Sequence, residues 1–320
     1  MKNKHELTAT LYTRQGCHLC DQAYAMLAKY KFEVTSVYID DDQELTARYG
    51  NCVPVVAIHG KERFRGRIDE VLLRRLMIRG RKDMRHLGIF AKYWEAGKVK
   101  TRLAATIGNA SASSVYHRCL QHLTGRLEDF ADFRTLAFSP PERRTDFGSL
   151  VAKNWELWPQ PEGDLGQRMQ DFFAHAFSQG AQRVVLIGSD SPTIPREYLH
   201  EAYRRLETDR VVLGPARDGG YYLVGASTDN LPISTDPLPI FDGVDWGTPA
   251  VWSQTIERIK QSRLTFSCLK PWYDVDEYSD LVRLHSELLK LVEVDDSWHE
   301  LLQTVEVVLR ERETRYNVAN

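Results

Sequence analysis

The stretch Gln182 to Pro192, QRVVLIGSDSP, limits what the chain can fold into more than any other. Val184 to Ile187 form an unbroken apolar run, the pattern of a strand covered on both faces, and such strands belong to sheets flanked by helices. Gly188 follows at once, and an acid, Asp190, falls where the strand should run out. Open α/β sheets place ligand chemistry at that end of their strands. Pro192 and Pro195 close the loop, and the spacing of Tyr198, Leu199, Ala202 and Leu206 predicts a helix behind it. A lone acid at a strand end also suits a plain loop or helix cap, so its meaning depends on what accompanies it.

The 320 residues suffice for two hydrophobic cores. With 42 basic and 44 acidic side chains the net charge is -2, which leaves no electrostatic footprint for nucleic acid. No apolar run reaches the ~20 residues of a membrane span, and MKNKHELTAT lacks the apolar segment of a signal peptide. A soluble, cytoplasmic protein without a membrane partner is expected. The cysteines, Cys17, Cys20, Cys52, Cys119 and Cys268, are odd in number and scattered, unlike a secreted disulfide framework. They read as reduced thiols with one exception.

That exception lies in a first domain expected over residues 1–80. Leu7 to Tyr12 alternate as a strand, Gly16 turns the chain, and Cys17-His18-Leu19-Cys20 opens a helix through Ala23, Met26 and Leu27. A thiol at a helix amino end is favoured as thiolate by the macrodipole, and a second thiol one turn on is within disulfide reach. A strand over Val34–Ile39, a helix over Gln43–Tyr49, a strand over Val53–Ile58 and a helix over Asp69–Leu76 complete the unit. The Val53-Pro54 bond that opens the third strand is a candidate for cis geometry. Alternatives are a zinc site drawing on His18 and Cys52, or a domain that only packs against its neighbour.

The element order and the phrase YTRQGCHLCDQA resemble the glutaredoxin-like branch of the thioredoxin fold. The resemblance implies Cys17 as attacking thiolate, Cys20 as resolving thiol, Val53-Pro54 facing them, and a thiol substrate or reductant as partner. Cys52, just before Val53, is a candidate third redox group. Ile78 to Asp83, basic and glycine-containing, reads as a linker to a second domain over residues 84–320.

In that domain Arg85 to Ala91 predicts a buried strand, and Lys92, Lys98, Lys100 and Arg102 crowd around Gly97 before a helix over Ala110–Leu127. Such a turn suits a diphosphate, which backbone amides can approach and several cations can share, although its spacing is not that of a Walker loop. A solvated basic loop is the alternative. A strand over Arg134–Phe138, a helix over Met169–Phe177 and a strand over Asp209–Gly214 follow. Asp218-Gly219-Gly220 then lets backbone approach a ligand, or forms an ordinary turn, before the Tyr221–Gly225 strand. Tyr273-Asp274-Val275-Asp276 puts two carboxylates on one face of an extended segment, where oxygen ligands suit magnesium or manganese; a solvated acidic turn is the alternative. The amphipathic tail from Trp298 to Leu309 reads as a packing helix.

The ordered motifs KVKTRLA, DLGQRM, VVLIGSDSPTI, LGPARDGGYYLVG, FDGVDWGT and DVDEYSDL resemble a bacterial family of GT-A-like transferases of the DUF2064 type, over residues 84–285. With the first domain, this implies an α/β protein: a small thioredoxin-fold domain, then a larger Rossmann-like GT-A domain with a mostly parallel mixed sheet. The implied activity is metal-dependent glycosyl transfer from a nucleotide-diphosphate sugar to a small-molecule acceptor. Lys92, Lys100 and Arg102 would hold the phosphates, and Asp190, Asp274 and Asp276 a magnesium or manganese ion. Asp218, Gly219 and Gly220 would line the donor or acceptor pocket, and Asp218, at a different strand end from the metal group, is the candidate base for the acceptor. Nucleotidyl transfer with release of pyrophosphate, and a redox or docking protein whose larger domain is not catalytic, are the competing readings. The family's first motif reads Lys-x-Pro-x-Pro-Gly, whereas this chain has Lys92-Tyr93-Trp94-Glu95-Ala96-Gly97, with an indole and an acid in the loop meant to meet the nucleotide.

Overall fold

The computed structural model describes residues 8–30, 32–58, 60–70, 72, 73, 76, 84–228 and 238–319. The chain falls into two compact units, Met1–Lys82 and Asp83–Asn320. The linker expected over Ile78–Asp83 lies outside the described residues, as does much of the helix expected over Asp69–Leu76.

The first unit is a four-stranded sheet in the order β2-β1-β3-β4. It runs β1 (Thr8–Thr13), α1 (His18–Lys29), β2 (Glu33–Tyr38), α2 (Gln43–Tyr49), β3 (Val55–Ile58) and β4 (Lys61–Arg65). β1 and β2 are parallel, β3 is antiparallel to β1, and β4 is antiparallel to β3. α1 buries Cys20, Ala23 and Leu27 at helical spacing, which seats it on Leu11, Val56 and Ile58 of the sheet. α2 starts where Asp42 accepts hydrogen bonds from the Glu44 and Leu45 amides. The Val53-Pro54 bond is cis, and the strand it was expected to open begins at Val55.

The second unit starts with β5 (Arg85–Lys92), α3 (Thr101–Ile107), α4 (Asn109–Arg126), β6 (Phe133–Ser139), α5 (Arg144–Leu150) and β7 (Glu156–Pro159). It continues through α6 (Leu165–Ser178), β8 (Arg183–Gly188), α7 (Arg196–Arg205), β9 (Val211–Pro215) and β10 (Tyr221–Ser227). α8 (Val251–Gln261), β11 (Phe266–Cys268), α9 (Tyr278–Leu291) and α10 (His299–Ala319) complete it. The seven strands are ordered β11-β9-β10-β8-β5-β6-β7. All neighbours are parallel except β10, which is antiparallel to both β8 and β9.

After β5 the chain moves to β6 and β7 on one side, then returns to place β8 on the other. The order therefore reverses between β5 and β8, and their carboxyl ends diverge into the crevice where such sheets hold ligands. Val184 to Ile187 are all buried, as a strand with helices on both faces requires. α4 and α7 pack on one face through Leu120, Leu123, Leu199 and Ala202. α6 and α8 pack on the other through Phe172, Phe173 and Ile259. The tail helix is a packing element: Leu301 and Val305 of α10 are fully buried against Leu103 and Val115 of α3 and α4. Among the described residues no helix is long and apolar enough to cross a membrane.

α6 begins four residues before its expected start at Met169, because Asp164 accepts a hydrogen bond from the Gln167 amide and so caps the helix at Leu165. The helix brings Phe172 onto β5, where Gly88 leaves room for the ring: a Cβ there would lie 2.1 Å from Phe172 Cζ. Gly88→Ala is therefore expected to destabilise the fold by about 1–3 kcal/mol, as overpacking does. A shift of the urea midpoint at unchanged slope would report it; an unshifted midpoint would mean that the ring moves aside without strain.

Candidate active site

Two groups of reactive side chains lie in separate units. In the first, Cys17 is the amino cap of α1 and its sulfur accepts from the Cys20 amide at 3.3 Å. The two cysteines form a disulfide with their Cα atoms 5.2 Å apart. Cys20 is buried at 2% exposure while Cys17 is half-buried, so a second sulfur can reach Cys17 more readily than its partner. Cys52 is a free, half-buried cysteine packed against the cluster of Ile39, Tyr49 and Val55.

In the second unit the crevice between β5 and β8 gathers side chains from three segments. Lys100 stands at the amino cap of α3 with φ +49, a left-handed backbone that non-glycine residues rarely adopt. Its Nζ lies 2.7 Å from Asp190 Oδ1, just beyond β8, and 2.7 Å from Asp276 Oδ1, just before α9. The lysine side chain is 8% exposed, the two carboxylates 43% and 39%. Burial opposes the ammonium, but the Asp190 and Asp276 charges outweigh it and hold the pKa above the ordinary lysine value.

The acidic segment is fixed by backbone contacts. The Val275 amide donates to the Asp190 carbonyl at 2.9 Å, and Ser191 Oγ lies 3.0 Å from the Tyr273 carbonyl and 2.6 Å from Asp274 Oδ1. Burial pushes the Asp274 carboxyl up to about 7, with the Asp190 and Asp218 charges acting the same way against the Ser191 hydrogen bond and Lys100. The three expected acids and Lys100 thus meet in one place, with more negative charge than the single ammonium neutralises. Hard oxygen donors with excess charge have the chemistry of a magnesium or manganese site. Lys100 fills the space between two of them, and among the described residues no three acid, histidine or cysteine side chains stand close enough to hold one ion.

The other expected residues divide. Lys92, at the end of β5, and Arg102, in the first turn of α3, are exposed, and neither side chain has an ion-pair partner among the described residues. Lys98 pairs with Glu95 at 3.0 Å. Asp218 Oδ1 accepts from the Gly220 amide at 3.0 Å, the bond of an Asp-Gly turn, and its charge reaches Asp274. Gly219 has φ +92, and a Cβ on it would meet the Pro249 carbonyl oxygen at 2.6 Å, so the backbone and its packing require a glycine there. Trp94 packs downward, stacked on His117 with ring centroids 4.2 Å apart and edge-on to Phe147 at 5.2 Å. It thereby anchors the loop that the family's prolines would stiffen.

Tyr116, Ser189 and Ser191 were not singled out in the sequence. The Tyr116 hydroxyl lies 2.8 Å from Ser189 Oγ and accepts from the Lys92 amide at 3.0 Å, tying the ends of β5 and β8 together. Tyr116 shares an apolar helical stripe with Ala112, Cys119 and Leu123, so nothing in the pattern marked it as more than core.

An unfolded aspartate titrates near ~3.9, and folded Asp274 at about 7. Between those values the folded chain holds the extra proton, so this group makes stability fall as pH rises from about 4 to about 7. In metal-free buffer Asp274→Asn should therefore be more stable than the parent near pH ~8, by on the order of 1–3 kcal/mol, with the gap closing below pH ~4. Denaturant titrations across this range would measure it; a gap that does not vary with pH would mean that the carboxyl titrates normally.

Comparison with known proteins places both units. The model of the "Glutaredoxin-like domain (DUF836)" matches residues 8–77, and that of the "Uncharacterized protein conserved in bacteria (DUF2064)" matches residues 127–248. None of the curated proteins matches the chain. Among solved structures, a protein from Desulfovibrio desulfuricans G20 assigned as a nucleotide-diphospho-sugar transferase is 30% identical, with a TM-score of 0.63, covering 72% of this chain and 99% of its own. A structural-genomics target protein from X. campestris is 37% identical over 23% of this chain and 99% of its own, with a TM-score of 0.21. A cytidylyltransferase from Leptospira borgpetersenii serovar Hardjo-bovis is 14% identical over 72% of this chain and 96% of its own, with a TM-score of 0.42. The chain therefore belongs, through its larger domain, to the family of the Desulfovibrio nucleotide-diphospho-sugar transferase, and it carries a glutaredoxin-like domain ahead of it.

Proposed function

We propose that the larger domain transfers a sugar from a nucleotide-diphosphate donor to a small-molecule acceptor at the crevice between β5 and β8. The observation that carries this reading is Lys100, held at 2.7 Å between Asp190 and Asp276 at the point where the strand order reverses. When the bond to the sugar breaks, negative charge grows on the leaving diphosphate, and fixed positive groups that meet it lower the barrier. Lys92 and Arg102 border the same loop, without ion-pair partners among the described residues, and would share that charge. Lys100 reaches the diphosphate by exchanging one of its carboxylate contacts for a phosphate oxygen. Asp274, titrating at about 7, is able to take a proton from an acceptor hydroxyl at neutral pH and fits the base role better than Asp218, which caps its own turn.

Calorimetry with UDP-glucose and other nucleotide-diphosphate sugars, with and without manganese, tests the reading. Asp190→Asn and Arg102→Ala should each weaken binding at least about tenfold, or ~1.4 kcal/mol. Unchanged affinity in both would remove the site. Preferential binding of nucleoside triphosphates with release of pyrophosphate would assign nucleotidyl transfer instead.

For the first unit we infer thiol–disulfide exchange. The reduced Cys17 thiolate attacks a disulfide to form a mixed disulfide, and Cys20 then displaces the second sulfur, closing the Cys17–Cys20 bond and releasing the partner as a dithiol. In a glutathione-coupled disulfide-reduction assay Cys17→Ser should be inactive, while Cys20→Ser should still form the mixed disulfide. Retained turnover in Cys17→Ser would refute the assignment.

A further inference from the structure

The resemblance to GT-A-like transferases implies a magnesium or manganese ion on Asp190, Asp274 and Asp276, and the side chains of this crevice do not fit one. Lys100 Nζ stands between Asp190 Oδ1 and Asp276 Oδ1, 2.7 Å from each. A magnesium ion binds oxygen at ~2.1 Å, so an ion bridging the same two carboxylates would sit where the ammonium already is. The third acid is engaged on another side, where Asp274 Oδ1 accepts from Ser191 Oγ at 2.6 Å.

The lysine is built into that position. Its left-handed backbone at the amino cap of α3, with the carbonyl accepting from the Ala104 amide at 2.8 Å, fixes the direction in which the side chain leaves the chain. The side chain is 8% exposed. Beside it the buried residues Leu103, Val115, Tyr116 and Cys119 line a space of only about 10 Å³. Such a space takes one water-sized group at most, so the ammonium has no inward position to retreat to. The Val275 amide, bonded to the Asp190 carbonyl at 2.9 Å, ties the two acidic segments together around it. An incoming cation would therefore have to break two charge-assisted hydrogen bonds and drive the side chain outward.

We propose that the Lys100 ammonium takes the place of the divalent cation, so that the crevice binds its donor without a metal ion. In the sugar transfer proposed above, on which this role of Lys100 rests, the bond between the sugar carbon and the diphosphate oxygen breaks, and its electron pair goes to that oxygen. The acceptor oxygen bonds to the same carbon and its proton passes to Asp274. The charge gathering on the leaving diphosphate is met by a cation fixed covalently to the chain, with Lys92 and Arg102 beside the same loop.

Titration of the full chain with manganese chloride, followed by electron paramagnetic resonance, reads the site without nucleotide or turnover. Lys100→Met, which keeps a stem and removes the charge, and Lys100→Ala should each gain a manganese site at least about tenfold tighter than any in the parent. Adding Asp276→Asn to Lys100→Met should undo the gain. Using both lysine variants keeps the test decisive if one of them folds poorly. In calorimetry UDP-glucose should bind the parent equally well in EDTA and in manganese, and Lys100→Met only in manganese. Manganese binding by the parent that Asp276→Asn removes overturns the proposal. So does failure of both lysine variants to gain a site, and so does at least about tenfold tighter binding of UDP-glucose to the parent in manganese. Nucleotide sugars that bind under neither condition would count against the transfer reading alone, and the manganese titration would still decide whether Lys100 holds the cation's place.

Discussion

A lysine ammonium taken out of water costs several kcal/mol unless charges and hydrogen bonds replace its hydration. Lys100 meets that cost with two carboxylates, one after β8 and one before α9. Because its partners come from distant parts of the chain, the ion triad forms only when the sheet, the loop before α3 and the segment before α9 are all in place. The αL backbone at Lys100 has the same origin: the turn aims the side chain into the crevice at the expense of local conformational preference. The backbone link from Val275 to the Asp190 carbonyl holds the acidic segment in register with the strand end.

The electrostatics of the crevice follow from this packing. One ammonium faces three carboxylates, and the most buried of them, Asp274, relieves the imbalance by holding its proton toward neutral pH. Any ligand that brings positive charge competes with Lys100, and any that brings phosphate competes with the carboxylates for it. The glutaredoxin-like unit carries another asymmetry, in which one sulfur caps a helix within reach while its partner is buried.

Much of this was legible in the sequence because the relevant signals are local. The apolar run at Val184–Ile187, the CxxC at a helix start and the paired acids at Asp274 and Asp276 each announce an element within a few residues. The convergence of Asp190, Asp274 and Asp276 was legible only through the order of the motifs. What escaped is what depends on three-dimensional neighbours. The short strands β7 and β11 lie at the sheet edges and carry too few residues for a period. Tyr116 looked like core because an apolar stripe cannot reveal where a hydroxyl ends. The glycine pair at Gly219 and Gly220 suggested close backbone approach, but not that the Pro249 backbone is what comes close to Gly219. Lys100 was read as a phosphate cation, and only its placement shows that it already has partners.

The Tyr116 hydroxyl, bound to the Lys92 amide on one side and Ser189 on the other, acts as a spacer of fixed length between the two walls of the crevice. Its own helix is seated in the core, so the gap at the mouth is set by rigid parts and cannot widen to suit a larger guest. Discrimination among substrates then falls to the rims, where the Trp94 loop and the Asp218 turn lie. Variants of this scaffold should change whom they accept by altering those edges while the span between them stays constant.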